Sequence, residues 1–257
     1  MILAIDVGNT NVVLGSVENG EVKSISRMAT KVDDLSNDYA LKMRQSFEFD
    51  GVDWTKFEGA ILSSVVPQVN ASIISAVKKL TGLDCMVVGA GLKTGVNIKI
   101  DDPGQLAADL LTGAVGALAK YEPPIIIIDM GTATTIFTLD NQGAFIGGAI
   151  IPGVKLSFNA LSSGTSLLPS ISLDEPKKCI GTNTVDCMKS GAVYGAAAMI
   201  DGMIDRMIDE LGETATVVAT GGIAGHIIPV CKHEIALEPE LLLKGLEIIY
   251  EKNKKKK

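Results

Sequence analysis

Cysteine, histidine and long apolar runs are all scarce in this sequence, and each shortage removes a class of function. The four cysteines, Cys85, Cys179, Cys187 and Cys231, show no C-x-x-C spacing, and His226 and His233 are the only imidazoles in 257 residues. A structural zinc site draws about four such ligands from short spacings, so none is expected. The thiols read instead as buried or half-buried free groups in a reducing compartment. No run of about 18 or more strongly apolar residues occurs, and the uncharged segment Leu156 to Leu173 is full of Ser, Gly and Pro, so no membrane partner is expected. The opening residues carry no basic segment, and Asp6 interrupts the N-terminal apolar run. A secretory signal is therefore not expected, and the location reads as cytoplasmic. Basic charge is short as well: 23 Lys and Arg stand against 30 Asp and Glu, a net charge of −7. That leaves no broad basic surface for a nucleic-acid backbone, so no nucleic-acid partner is expected. The exception is the tail from Lys252 to Lys257, which reads as a solvated, disordered end.

What is present is apolar bulk punctuated by glycine. Hydrophobic residues make up 47% of the chain, enough for one large domain or two of ordinary size. The apolar opening Met1 to Ile5 runs into Asp6-Val7-Gly8-Asn9-Thr10-Asn11. Far along the chain, Ile125 to Ile128 run into Asp129-Met130-Gly131-Thr132-Ala133-Thr134-Thr135. Each copy continues as a strand, a hairpin turn and another strand: Asn11 to Val17, Asn19-Gly20 and Val22 to Met28, then Thr134 to Leu139, Asp140 to Gly143 and Ala144 to Ile150. Recurrence of a whole unit of about 20 residues points to a duplicated half-domain.

Alternating elements follow in each half. The first predicts helices over 37–47 and 68–80 and strands over 59–64 and 84–88. The second predicts a long helix over 184–211, a strand over 216–220, a short helix over 224–230 and a closing helix over 239–250. A connecting helix over 106–120 follows the breaker pair Pro103-Gly104. The fold class is therefore α/β, in two similar lobes that each hold a mixed sheet with flanking helices. The lobes are expected at residues 1–120 and 121–257, with a nucleotide cleft between them.

An apolar strand ending in Asp-x-Gly places a carboxylate at the carboxyl edge of a sheet, and the glycine lets backbone approach a ligand closely. The hydroxyl and amide groups that follow can donate to phosphate oxygens. The carboxylate cannot touch a phosphate unaided, so it implies a cation or a water between them. Gly221-Gly222, just past the strand over 216–220, reads as an adenosine-side contact. Gly191, Gly195 and Gly202 on the long helix allow a close helix approach, either across a dimer or within one subunit. Asp201, Asp205 and Asp209 on that helix read as a solvated face.

Asp-x-Gly-Asn-Thr at the N terminus, Asp-x-Gly-Thr-Ala-Thr-Thr in mid-chain and Gly147-Gly148-Ala-Ile-Ile-Pro152-Gly153, with Leu161 and Leu168-Pro169 beyond, resemble the type III pantothenate kinases. These belong to the superfamily of acetate and sugar kinases, Hsp70 and actin, whose lobes are of the actin-like, ribonuclease H-like type. The resemblance implies ATP-dependent phosphorylation of pantothenate, the first step towards coenzyme A, by a homodimer. It places the nucleotide phosphates and, indirectly through Asp6, Mg²⁺ on Asp6, Val7, Gly8, Asn9, Thr10, Asn11, Val12 and Val13, with Thr132 also on ATP. Asp129 would hold the monovalent cation, K⁺ or NH₄⁺. Ala107, Ala108, Asp109, Leu110 and Thr184 would line the pantothenate site, with Asp109 as the general base. Such a base orients the attacking hydroxyl and accepts its proton, and it is best carried on a rigid element.

The match departs from the family pattern beside that base. The family usually writes Gly-Ala-Asp-Arg, whereas this chain has Ala107-Ala108-Asp109-Leu110, so a guanidinium is replaced by an aliphatic group. A tyrosine common a few residues earlier corresponds to Ile100. Three readings stay open: a pantothenate kinase with other substrate contacts, a kinase of the same superfamily acting on another hydroxyl compound, and a weakly active paralogue that serves as a nucleotide-binding regulator.

Overall fold

The computed structural model describes residues 1–254, so Lys255 to Lys257 of the basic tail lie outside the described residues. The chain begins with β1 (Ile2–Val7), β2 (Asn11–Glu18), β3 (Glu21–Ala29), α1 (Ser36–Phe49), β4 (Gly59–Ser64), α2 (Pro67–Thr81), β5 (Cys85–Val87) and α3 (Ala108–Leu118). It continues with β6 (Ile125–Met130), β7 (Ala133–Leu139), β8 (Phe145–Pro152), α4 (Val154–Ser163), α5 (Thr184–Ser190), α6 (Ala196–Leu211), β9 (Thr216–Thr220), α7 (Ala224–Ile227), β10 (Ala236–Leu237) and α8 (Leu241–Asn253).

Two five-stranded sheets result, in the orders β3-β2-β1-β4-β5 and β8-β7-β6-β9-β10. In each, the first three strands form an antiparallel meander and the fourth and fifth run parallel to the first. The repeat read in the sequence is thus a repeat of whole-sheet topology, and each unit is a mixed sheet with flanking helices, as expected. β1 and β6 are central strands, which is why their sequences run apolar rather than alternating. Local signals set the ends: Asn19 and Gly20, both at positive φ (55° and 81°), make the first hairpin turn, and Pro67 opens α2, which Gly82 closes at φ 74°.

The chain divides into two compact units. One comprises residues 1–96, 101–120 and the segment from Glu240 on; the other comprises 97–100 and 121–239. In the first unit, Leu3, Ile5, Val7, Ala60 and Leu62 meet Tyr39, Met43, Phe47, Val69 and Ile73 of α1 and α2 in one core. The opposite face of that sheet takes α8. Leu243 fills the space a side chain on Gly15 would need, and Tyr250 does the same at Gly59. Helix α3 then lies against α8, where side chains on Gly116 and Gly245 would collide with the backbone carbonyls of Leu241 and Thr112. The carboxylate of Glu247, buried on α8, accepts from Gly20 N–H of the first hairpin at 2.8 Å. The closing helix, expected with residues 121–257, therefore completes the first unit.

Other expectations change. The tail does not begin as a solvated end at Lys252: its Nζ donates to Thr94 O at 2.6 Å, and the Asn253 amide donates to Lys93 O at 2.9 Å. The helix over 184–211 is interrupted by a π-turn at Gly191–Gly195, where two poor helix formers bound the widened turn. Gly195 has open space beside it, Gly191 meets only a Phe158 ring atom and Gly202 only Arg206 of its own helix, so no other described helix uses this stripe for close approach. Asp201 is buried rather than solvated, and both its oxygens accept from Lys232 N–H at 3.0 Å. Asp205, exposed, pairs with His233 Nε2 at 2.8 Å. Helix α4 was not expected: Val154, Phe158 and Leu161 stand at helical spacing, but the surrounding Ser, Gly and Pro mask the pattern. Cys179 and Cys187 are exposed, while burial pushes the half-buried Cys85 and Cys231 thiols up to about 12. No described helix is long and apolar enough to cross a membrane.

Candidate active site

The two Asp-x-Gly motifs occupy equivalent places. Asp6 and Asp129 are the penultimate residues of β1 and β6, both half-buried at the carboxyl end of the central strand. The turns differ by one residue: Gly8, Asn9 and Thr10 join β1 to β2, whereas Gly131 and Thr132 join β6 to β7. Gly8 N–H closes the first turn on Asn11 O at 3.0 Å, and Gly131 N–H closes the second on Ala133 O at 3.0 Å. Thr30, just past β3, braces the first turn by donating its hydroxyl to Gly8 O at 2.7 Å and its N–H to Thr10 O at 3.0 Å. Asn9, Thr10, Asn11 and Thr132 are exposed at these turns, Val7 and Val12 are buried beneath, and Val13 sits beside Asp6 in the sheet.

The neighbours of the two carboxylates differ in chemistry. Asp6 lies between Val13 of β2 and Ser63 of β4. Asp129 lies between Thr135 of β7 and Thr220 of β9, so three oxygen-bearing side chains share one row across the second sheet. The hydroxyls of Ser63, Thr134 and Thr135 are buried without a hydrogen-bond partner among the described residues. Two glycines pack on the second turn. Gly153 N–H donates to Thr132 O at 3.1 Å, and Gly221, at φ 100°, lies so close that a Cβ would sit 2.5 Å from Met130 N and 2.7 Å from Asp129 Oδ1. Gly221 therefore has a structural reason to be glycine, whereas Gly222 and Gly225 face open space.

Asp109 lies in the first turn of α3, after Ala107 as the capping residue and Ala108. Burial raises its pKa above the ordinary carboxylate value of 3.8, opposed in part by the Leu110 N–H, which donates to Oδ1 at 2.8 Å. Leu110 and Ile100 are half-buried, and neither brings a charge to the base. Thr184 is the first residue of α5, exposed, next to Asn183, whose side chain caps the helix on Asp186 N–H at 2.9 Å. Asp6 and Asp109 belong to the first unit and Asp129, Thr132 and Thr184 to the second. Ser63 and Thr220 were missed from sequence because only sheet register reveals them as neighbours of the two carboxylates, and register sets Thr135, expected as a phosphate donor, beside Asp129.

A profile built on type III pantothenate kinases matches residues 2–206. The chain belongs to the type III pantothenate kinase family. The type III pantothenate kinase of Moorella thermoacetica is 40% identical over 253 residues, covering 98% of this chain and all of that one. Among solved structures, a Campylobacter jejuni protein assigned to the Baf family of transcriptional activators superposes with a TM-score of 0.57 at 17% identity over 98% of both chains. The ROK hexokinase of Thermus thermophilus gives 0.53 at 12% identity, over 96% of this chain and 97% of its own. At such identities these two show the fold alone. As a type III pantothenate kinase, the chain is a phosphotransferase, and the resemblance read in its motifs holds over nearly its whole length.

Among the described residues no three His, Cys, Asp or Glu side chains converge on a metal position. A divalent ion in this family member would therefore be carried largely by phosphate oxygens and water, with a carboxylate behind the water, which suits Asp6. The row of Thr135, Asp129 and Thr220, with its unpartnered buried Thr135 hydroxyl, fits a monovalent ion that takes one charged oxygen and several neutral ones.

Proposed function

We propose how the residues of this chain divide the ATP-dependent phosphorylation of pantothenate, the reaction of its family and the first step of coenzyme A biosynthesis. The turn from Asp6 to Val13 holds the nucleotide phosphates through backbone N–H groups and the Asn9, Thr10 and Asn11 side chains, and Thr132 contacts the same nucleotide. Asp6 orients the water shell of Mg²⁺, and Asp129 holds the monovalent cation. Bound with the nucleotide, these ions screen the phosphate charge that builds up during transfer. Ala107, Ala108, Leu110 and Thr184 line the pantothenate site. Asp109 accepts the proton of the attacking hydroxyl, and its desolvated carboxylate is a stronger base than one in water. The observation that carries this reading is the equivalent placing of Asp6 and Asp129 at the carboxyl ends of the two central strands.

The reading includes a cytoplasmic homodimer. Leu156, Leu161, Leu167, Ile180 and Val185, all at least 40% exposed in the stretch leading to and around Thr184, support a subunit contact there. The second reading, a nucleotide-binding regulator, draws on Leu110, which offers no donor to a substrate carboxylate or hydroxyl. ATP consumption with pantothenate, measured in K⁺, NH₄⁺ and Na⁺, separates the two. Pantothenate-dependent turnover favoured by K⁺ or NH₄⁺ and lost in Asp109→Asn supports the kinase; nucleotide binding without turnover supports the regulator. In Asp129→Ala the preference among the three cations is expected to disappear, and its survival would remove the ion from Asp129.

A further inference from the structure

Ser63, the penultimate residue of β4, pairs directly with Asp6 in the parallel register. Side chains of residues paired in this way stand on the same face of a sheet. Leu3, Ile5, Val7, Ala60 and Leu62 turn toward the core made with α1 and α2, so Asp6 and Ser63 turn the other way. Ser63 is 0% exposed, and its Oγ has no hydrogen-bond partner among the described residues. Leaving a buried hydroxyl unpaired is costly, and alanine would fill the same space without that cost, so shape alone does not account for serine here. The equivalent residue of the second sheet, Thr220, stands beside Asp129 in the same register. A hydroxyl next to the strand-end carboxylate is thus a feature of both copies. A carboxylate offers about four acceptor positions and can take a further donor.

We propose that Ser63 is a positioning residue for the first phosphate turn. When the Mg²⁺-nucleotide is bound, its hydroxyl turns to donate to the carboxylate of Asp6, directly or through one ordered water, and fixes the orientation in which that carboxylate meets the hydrated ion. The inference rests on the reading of Asp6 given above.

The test compares wild type, Ser63→Ala, Ser63→Thr and Asp6→Asn by calorimetric titration with ADP across a series of Mg²⁺ concentrations. Melting without ligand and the KM for pantothenate are recorded beside it. In Ser63→Ala the Mg²⁺ concentration that supports half of the nucleotide affinity is expected to rise about 10-fold, the usual scale for a group that orients a metal's ligand. The pantothenate KM should stay put, and ligand-free melting should not fall, because an unsatisfied buried group has been removed. Ser63→Thr keeps the hydroxyl and is expected to restore the wild-type Mg²⁺ response. Unchanged Mg²⁺ dependence in Ser63→Ala, with or without lower melting, overturns the inference. If Asp6→Asn also leaves that dependence unchanged, the assignment of Asp6 fails too; if it alone shifts the response, only Ser63 is misassigned.

Discussion

As the proposed base, Asp109 would work against stability in order to serve chemistry. Burial raises its folded pKa above the unfolded value, so the fold favours the protonated form. That contribution to stability is complete below the ordinary carboxylate range and is lost as pH rises through the raised value. Activity runs the other way, since only the ionised group can accept a proton. Turnover is therefore expected to rise with pH through the same titration. Asp109→Asn should lower kcat by about 10²- to 10⁴-fold while its melting temperature at neutral pH equals or exceeds wild type. A pH–rate profile and a melting curve test both, and a variant that loses folding along with turnover would count against the base. At Gly221 the constraint is steric: φ is 100° and a Cβ would crowd Met130 and Asp129. Gly221→Ala is expected to cost about 1–3 kcal/mol in denaturant unfolding. The strand-end places of Asp6 and Asp129 were legible from local pattern, whereas Asp109 was singled out only by the family resemblance. Ser63 and Thr220 were not legible, because their importance comes from the strand beside them.

The elements were mostly legible from periodicity and punctuation, and the failures have particular causes. The strands over 59–64 and 216–220 match because an apolar run ends at a turn signal on each side. The spacing of Val154, Phe158 and Leu161 in helix α4 is hidden among Ser, Gly and Pro, and β10, of two residues, has too little pattern to read. Asp201 was misread because helical spacing with Asp205 and Asp209 resembles a solvated stripe, whereas its carboxylate serves the backbone of residues 232 and 233. The contact of α3 with α8 supports the element that carries the proposed base. Gly245→Ala would push a methyl group into the carbonyl of Thr112 and is expected to destabilise by about 1–3 kcal/mol. Because α3 carries Asp109, kcat should fall with it, while ADP affinity changes less; calorimetry and steady-state rates distinguish the two effects. Glu247→Ala leaves Gly20 N–H without its carboxylate partner and is expected to cost about 1–3 kcal/mol by the same unfolding measurement.

For the whole molecule, sequence order and compact units do not coincide. Leu241, Leu243, Leu246 and Ile249 of α8 are buried in a unit that otherwise ends at residue 120. A fragment of residues 1–120 alone is expected to lack a cooperative thermal transition, and the same fragment supplied with the peptide 240–254 is expected to regain one. Circular dichroism melts decide it, and a stable fragment 1–120 would mean that α8 is dispensable. The sequence by itself determined the α/β class, the duplication and the family, because turn residues, apolar runs and motif spacing are local properties that survive reading in one dimension. Tertiary structure alone decided which face of the first sheet α8 covers, which hydroxyls stand beside the two carboxylates, and how burial sets the basicity of Asp109. The physical reason is the same in each case: register, packing and desolvation depend on neighbours brought from elsewhere in the chain.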